Sequence, residues 1–140
     1  MKAVILAGGE GKRLSPLTTF TPKPMVPLFG KPVLYELLRR LKSAGVDEAV
    51  VTLRYLPEQV RHVFGGEFEG MRLQYRVEQQ PRGTAGAVRD AAAGFDEPFL
   101  IVSGDAVCDF DFEKIMQFHR EKESRFTIAC RRVREPGEYG

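Results

Sequence analysis

The apolar positions of this chain fall into two alternating patterns. Short runs rich in β-forming residues read as strands: Lys2 to Leu6, Glu48 to Leu53, Arg72 to Val77, Phe99 to Ser103 and Arg125 to Cys130. Stretches with helical spacing lie between them. Pro32 to Ala44 puts Val33, Leu34, Leu37, Leu38 and Leu41 on one face, with Pro32 suited to the first turn and Gly45 to the stop. Pro57 to Phe64 is a short helix closed by Gly65 and Gly66. Thr84 to Ala93 is an alanine-rich helix with Thr84 as its cap. Asp111 caps a last helix to about Glu123, with Phe112, Ile115, Met116 and His119 on one side.

Strands apolar on both faces, alternating with helices, imply an α/β fold: a Rossmann-like three-layer sandwich around a mostly parallel sheet. Ligands in such sheets bind beyond the C-terminal strand ends, where the strand order switches. The loops after Leu6, Val77 and Ser103 are therefore the places to look for chemistry.

Composition narrows the classes without choosing one. The 140 residues suit one domain, and 43% hydrophobic residues suffice for a core. A net charge of +2 gives no reason to expect nucleic acid or membrane as a partner. Cys108 and Cys130 have neither a CxxC pattern nor metal-ligand spacing, which fits a reduced, cytoplasmic protein. The apolar run 3–7 is too short for a signal peptide or a membrane span.

After the first strand the chain reads Leu6-Ala7-Gly8-Gly9-Glu10-Gly11-Lys12-Arg13-Leu14. Glycines this dense let the backbone bend and approach a ligand, and the N–H groups of such a turn form an anion-binding nest. Arg13 adds a forked, permanently charged donor suited to phosphate. Taken alone, the glycines fit a tight turn beside two solvated cations equally well. Two familiar phosphate loops are excluded: Leu6 and Arg13 stand where a Walker A loop needs Gly and Ser or Thr, and Leu14 stands where the dinucleotide fingerprint needs Gly. Further on, Pro22 and Pro24 stiffen the backbone around Lys23, which makes that lysine a well-held point charge for a triphosphate.

The glycine loop, followed by Pro16-Leu17-Thr18 and then Pro22-Lys23-Pro24, resembles the signature of the sugar-phosphate nucleotidyltransferases, or sugar-nucleotide pyrophosphorylases. Within that family it is most similar to the mannose-1-phosphate guanylyltransferases. The resemblance implies a glycosyltransferase-A-like nucleotidyltransferase fold that takes a nucleoside triphosphate and a sugar 1-phosphate. The backbone and side chains of Leu6, Ala7, Gly8, Gly9, Gly11 and Lys12 would wrap the triphosphate. Arg13 would hold the β- and γ-phosphates, and Lys23 the phosphates at the reacting centre. In the stretch from Glu78 to Gly86, Glu78 would read the base edge while Gly83 and Thr84 pack beside the base. Asp105, in Ser103-Gly104-Asp105 at the end of what reads as a central, buried strand, would bind Mg²⁺. Asp109 and Asp111 read as turn and cap residues.

Family members continue well past this length. By resemblance, residues 1–140 are the nucleotide-binding, N-terminal part of a truncated catalytic domain. Glu138-Tyr139-Gly140 resembles the segment opening the sugar-binding half, with Gly140 near the sugar. The remaining sugar contacts and a later acidic metal ligand would lie beyond it. A sheet cut at that point exposes a strand edge, which leaves a homo-oligomer open. His62 and His119 read as structural or solvated, and no Ser–His or Cys–His pair suggests a covalent nucleophile.

Glu78 points to the base. An ionised carboxylate only accepts hydrogen bonds. Guanine offers N1–H and the 2-amino group side by side, whereas uracil and thymine offer one N3–H between two carbonyl oxygens. The expected reaction is GTP with mannose 1-phosphate giving GDP-mannose. The alternatives are uridylyl or thymidylyl transfer to glucose 1-phosphate, or a relative that holds nucleotide without turnover.

Overall fold

The computed structural model describes residues 1–130, 132, 133 and 137. In chain order its elements are β1 (Lys2–Leu6), two short 3-10 turns (Lys12–Leu14 and Lys23–Met25), β2 (Pro27–Leu28), β3 (Lys31–Pro32), α1 (Val33–Ser43), β4 (Glu48–Leu53), α2 (Pro57–Phe64), β5 (Glu67–Phe68), β6 (Met71–Val77), α3 (Gly83–Ala91), β7 (Leu100–Ser103) and α4 (Phe112–Glu121). They form two units, Met1–Phe110 and Asp111–Gly140.

The first unit holds a five-stranded sheet in the order β5-β6-β4-β1-β7. β1 pairs in parallel with β4 on one side and β7 on the other, β4 pairs in parallel with β6, and the two-residue β5 is antiparallel. Ala3, Val4 and Ile5 are fully buried, as expected of a strand covered on both faces. The chain steps outward from β1 through β4 to β6, then returns to lay β7 on the other side of β1. Because parallel crossovers are right-handed, that reversal places α1 and α2 on one face and α3 on the other. Alternation along the strands serves both layers: Val4 and Val50 pack with Ala91, Val88 and Ala92 of the α3 segment. The periodic leucines of α1, Leu34, Leu37, Leu38 and Leu41, are all buried, each worth about 1.5–3 kcal/mol relative to exposure.

Three expectations from the sequence fail. β7 is an edge strand rather than a central one, and Ile101 is 41% exposed. The reason is topological: the last crossover sets β7 outside β1, and no strand lies beyond it among the described residues. α3 begins at Gly83, whose φ of +68° lets the turn start early, so Thr84 lies inside the helix and caps nothing. Arg82 holds the cap position and donates to Asp90 at 2.7 Å. Residues 125–130 form no strand, and Phe126 and Ile128 are exposed. β-propensity needs a ladder partner and a buried face to express itself.

In the second unit Asp111 caps α4 as expected, its carboxylate accepting from the Lys114 N–H at 3.0 Å. Phe112 and Met116 are its buried side chains, and His119 Nδ1 lies 2.9 Å from the Thr127 hydroxyl. Among the described residues no helix is long and apolar enough to cross a membrane.

Candidate functional site

The strand order reverses between β1 and β7, and two chemically loaded segments leave the sheet there. The glycine loop follows β1, and Gly104-Asp105 follows β7. The two are sewn together at short range. Gly104 N–H donates to the Leu6 carbonyl at 2.8 Å, and a Cβ on Gly104 would stand 2.8 Å from the Ala7 Cβ and 3.1 Å from the Leu6 carbonyl oxygen. Only glycine permits that approach, so the glycine fixes where Asp105 emerges.

The loop itself is bent at Gly11, which adopts φ +67°. A Cβ there would meet Thr18 Cγ2 at 3.0 Å and Lys23 Cβ at 3.1 Å. Thr18, 4% exposed, braces the bend by donating its hydroxyl to the Gly11 carbonyl at 2.8 Å. Upstream, Ala7 N–H is satisfied by Thr52. The next four N–H groups, of Gly8, Gly9, Glu10 and Gly11, find no acceptor among the described residues. Four successive N–H groups without an acceptor leave donors available to an anion. A Cβ on Gly9 would have no atom within 4 Å.

Cations and one acid surround this turn. Lys23 follows the buried Pro22 and stands at the start of a 3-10 turn. Its ammonium contacts the Asp105 carboxylate. Ser103 donates its hydroxyl to the other Asp105 oxygen at 2.5 Å. Burial pushes the Asp105 carboxyl up, but the hydrogen bonds from Lys23 and Ser103 outweigh it and hold the group below its ordinary value. Lys12 pairs with Glu10 at 3.1 Å, and Arg13 is exposed and has no ion-pair partner among the described residues. Lys12 and then Arg54 hold the Glu10 carboxyl low. An open cleft of about 300 Å³ lies beside the loop, lined by Glu10, Lys12, Ser15, Thr18, Thr19 and Tyr55.

Glu78 stands just past the end of β6, its N–H donating to the Leu53 carbonyl at 2.8 Å. Its Oε2 is 3.4 Å from the point a Cβ on Gly8 would occupy, so the carboxylate lies over the glycine loop. Its Oε1 is buried with no hydrogen-bond partner. A desolvated, unpaired carboxylate oxygen costs free energy that a ligand donor would recover. Leu6, Ala7, Gly8, Gly9, Gly11, Lys23, Glu78 and Asp105 thus gather at one end of the sheet. Gly83 and Thr84 are exposed, and the Thr84 side chain makes no hydrogen bond among the described residues. Gly140 lies outside the described residues.

Among known proteins, the nucleotidyl transferase family model matches residues 2–140. The chain belongs to this family. Relatives of the nucleotidyl transferase chain include mannose-1-phosphate guanyltransferase of Gibberella zeae, 39% identical over the whole chain. Another is mannose-1-phosphate guanylyltransferase catalytic subunit beta of Drosophila pseudoobscura pseudoobscura, 38% identical over 99% of the chain. The chain spans 40% and 39% of the length of these two relatives. HddC from Yersinia pseudotuberculosis, solved in complex with GMP-PN, superposes with a TM-score of 0.74 at 32% identity, covering 84% of this chain and 53% of its own. UDP-glucose pyrophosphorylase complexed with UDP-glucose superposes with a TM-score of 0.74 at 19% identity over 87% of this chain and 54% of its own, a likeness of fold.

Three residues of the candidate site have supporting contacts that the sequence does not announce, although Thr18 and Ser103 stand within motifs already noted. Arg54, at the C-terminal end of β4, donates to Glu10 at 2.7 Å and ties the glycine loop to the neighbouring strand. Thr18 braces Gly11, and Ser103 orients Asp105. Each acts across a turn or a strand pair, and no local spacing announces it. Ser103 alone left a signal, as a hydroxyl two residues from an acid at a strand end.

Proposed function

We propose that this nucleotidyl transferase moves a nucleotidyl group from a nucleoside triphosphate to a sugar 1-phosphate, with GTP and mannose 1-phosphate as its substrates. What carries the reading is the company Asp105 keeps at the switch point: four unpaired loop N–H groups and Lys23 on one side, with exposed Arg13 in the same loop. That arrangement suits a polyanion. In the reaction a phosphate oxygen of the sugar 1-phosphate attacks the α-phosphorus in line. The bond from that phosphorus to the bridging oxygen breaks, and pyrophosphate leaves with the electron pair. No covalent intermediate on the protein is required, so positioning and charge neutralisation are the protein's share. The loop N–H groups hold the triphosphate, Lys23 neutralises charge at the reacting phosphates, and Arg13 takes the charge that grows on pyrophosphate.

Mg²⁺ fits the donor set. Among the described residues no three His, Cys, Asp or Glu side chains gather into a metal cage, but Mg²⁺ characteristically takes one or two carboxylates and completes its shell with phosphate oxygens and water. Asp105 is such a carboxylate. Asp105 would hold Mg²⁺, which when bound would lower the charge repelling the incoming oxygen.

The unpaired Glu78 oxygen supports guanine as the base. The N1–H and 2-amino donors of guanine match two carboxylate oxygens, whereas a pyrimidine would turn carbonyl oxygens toward them. The test is pyrophosphate release by the full-length protein that contains these residues, with each of GTP, UTP, dTTP and ATP crossed against mannose and glucose 1-phosphates; residues 1–140 alone are expected to show no transfer. Fastest release with GTP and mannose 1-phosphate is expected. A preference for UTP or dTTP would overturn the guanine assignment and leave the transferase reading intact, while release with no pair would overturn both.

A further inference from the structure

Both oxygens of the Asp105 carboxylate are engaged by neighbouring side chains. Oδ1 accepts from the Ser103 hydroxyl and Oδ2 contacts the Lys23 ammonium. Mg²⁺ needs a carboxylate oxygen at about 2.0–2.1 Å. The oxygen not oriented by Ser103 is the one Lys23 covers. An approaching cation meets a like charge sitting on its ligand.

We infer that Lys23 is a charge gate that keeps divalent cations off Asp105 until nucleotide phosphates draw the ammonium away. The inference rests on the reading of Lys23 as a phosphate group and Asp105 as a metal ligand. Lys23 is built for such an exchange. Its backbone is held between Pro22 and Pro24, and its Cβ lies 3.1 Å from where a Cβ on Gly11 would stand. The stem therefore starts at the glycine loop and reaches across to β7. Rotation about its side-chain bonds is enough to trade a carboxylate partner for a phosphate one, and the ammonium always has an anion. Asp105 in turn trades an ammonium for the cation that arrives with the triphosphate. Metal and nucleotide thus load together, and the nucleotide-free protein has low affinity for metal. A neutral side chain at position 23 would open the carboxylate to metal in the absence of nucleotide.

The experiment is a Mn²⁺ titration of the nucleotide-free protein followed by ¹H–¹⁵N spectra, reading paramagnetic broadening of the Gly104 and Ala106 amides. Lys23→Met is expected to broaden these amides at Mn²⁺ concentrations at least tenfold lower than wild type. Lys23→Arg, which keeps the charge, should behave as wild type. Adding Asp105→Asn to Lys23→Met should abolish the effect. Lys23→Gln replaces Lys23→Met if circular dichroism shows the latter unfolded. Equal broadening in wild type and the neutral variant overturns the gate, and so does specific broadening in neither. A parallel titration with metal-free GTP separates the two levels: failure of the wild type to bind it removes the nucleotide reading, whichever way the Mn²⁺ comparison falls.

Discussion

The two ends of the parallel sheet are equally rich in charge and differ in what they do with it. At the N-terminal ends of β1, β4 and β6, the terminal ammonium, Asp47, Lys2 and Glu48 answer one another, while the Glu67 and Arg72 side chains have no ion-pair partner among the described residues. The chain's terminal ammonium donates to Asp47 at 3.2 Å, Gln74 donates to Glu48 at 2.7 Å, and Lys2 lies 4.0 Å from Glu48. A cleft of about 460 Å³ opens there, lined by Lys2, Asp47, Glu48, Gly66, Glu67, Gly70 and Arg72. At the C-terminal ends, among the described residues, four loop N–H groups have no acceptor and Glu78 keeps a buried oxygen without a donor. The larger of these two clefts is at the N-terminal end. A run of unpaired loop N–H groups and a buried unpaired carboxylate oxygen, more than cavity size, set the C-terminal end apart.

The largest expected effect breaks or sustains this contrast directly. Arg13→Ala should lower turnover by on the order of 10²-fold, a loss of about 3 kcal/mol typical of a missing transition-state donor. Thermal unfolding should move little, because exposed side chains without partners change stability by under about 0.5 kcal/mol. Near-normal turnover in steady-state kinetics would place Arg13 among the solvated cations. Next, Glu78→Gln should reduce the preference for GTP over UTP by roughly tenfold or more, since one good bidentate contact to a base is worth about 1–3 kcal/mol. The same change should leave stability unchanged or raised, because it removes a buried charge with an unmet oxygen. An unchanged base preference would take Glu78 out of recognition.

The opposite end should respond the other way round. Glu48→Ala removes the acceptor for Gln74 and is expected to cost about 1 kcal/mol of stability in denaturant unfolding, with kcat unchanged. A fall in turnover comparable to that of Arg13→Ala would erase the distinction between the ends. The smallest effect is at Asp47. The hydrogen bond and charge of the N-terminal ammonium hold its carboxyl below the ordinary value, against a smaller opposing push from burial. A carboxylate depressed in the folded state stabilises fully above its unfolded pKa of about 3.9, and loses that contribution as pH falls through the folded value. The pair is exposed, so screening limits it to under about 1 kcal/mol. Asp47→Asn should therefore lower stability slightly at neutral pH and not at all near pH 2. A difference that persists at low pH would show that something other than the ion pair is responsible.

Much of the molecule was legible because its signals are local. Glycines, prolines and strand-end acids announce themselves within a few residues, and so the loop from Leu6 to Leu14, Lys23 and Asp105 could be singled out before any fold was known. The periodic leucines of α1 and the cap of α4 are local in the same sense. What stayed hidden depends on who neighbours whom. Arg54 meets Glu10 across 44 residues, and the edge placement of β7 follows from the direction of a crossover rather than from the composition of the strand. Thr84 looked like a cap because its residue type suits one, and a left-handed Gly83 moved the helix start past it. Residues 125–130 have strand-forming side chains but no ladder, and propensity alone did not supply one.

Gly9 leaves an opening for chemical biology. The other glycines discussed have reasons inside the protein, a positive φ at Gly11 and a close neighbour at Gly104, whereas the space beside Gly9 is empty and its backbone is ordinary. A methyl group added there would meet no atom of the protein and leave the fold as it is. That is the specification for a bump: an alanine-bearing protein that rejects natural nucleotides and accepts an analogue trimmed to match. If the proposed nucleotide site is the one this loop serves, such a pair would allow one copy of the protein to be addressed in a cell without disturbing its relatives.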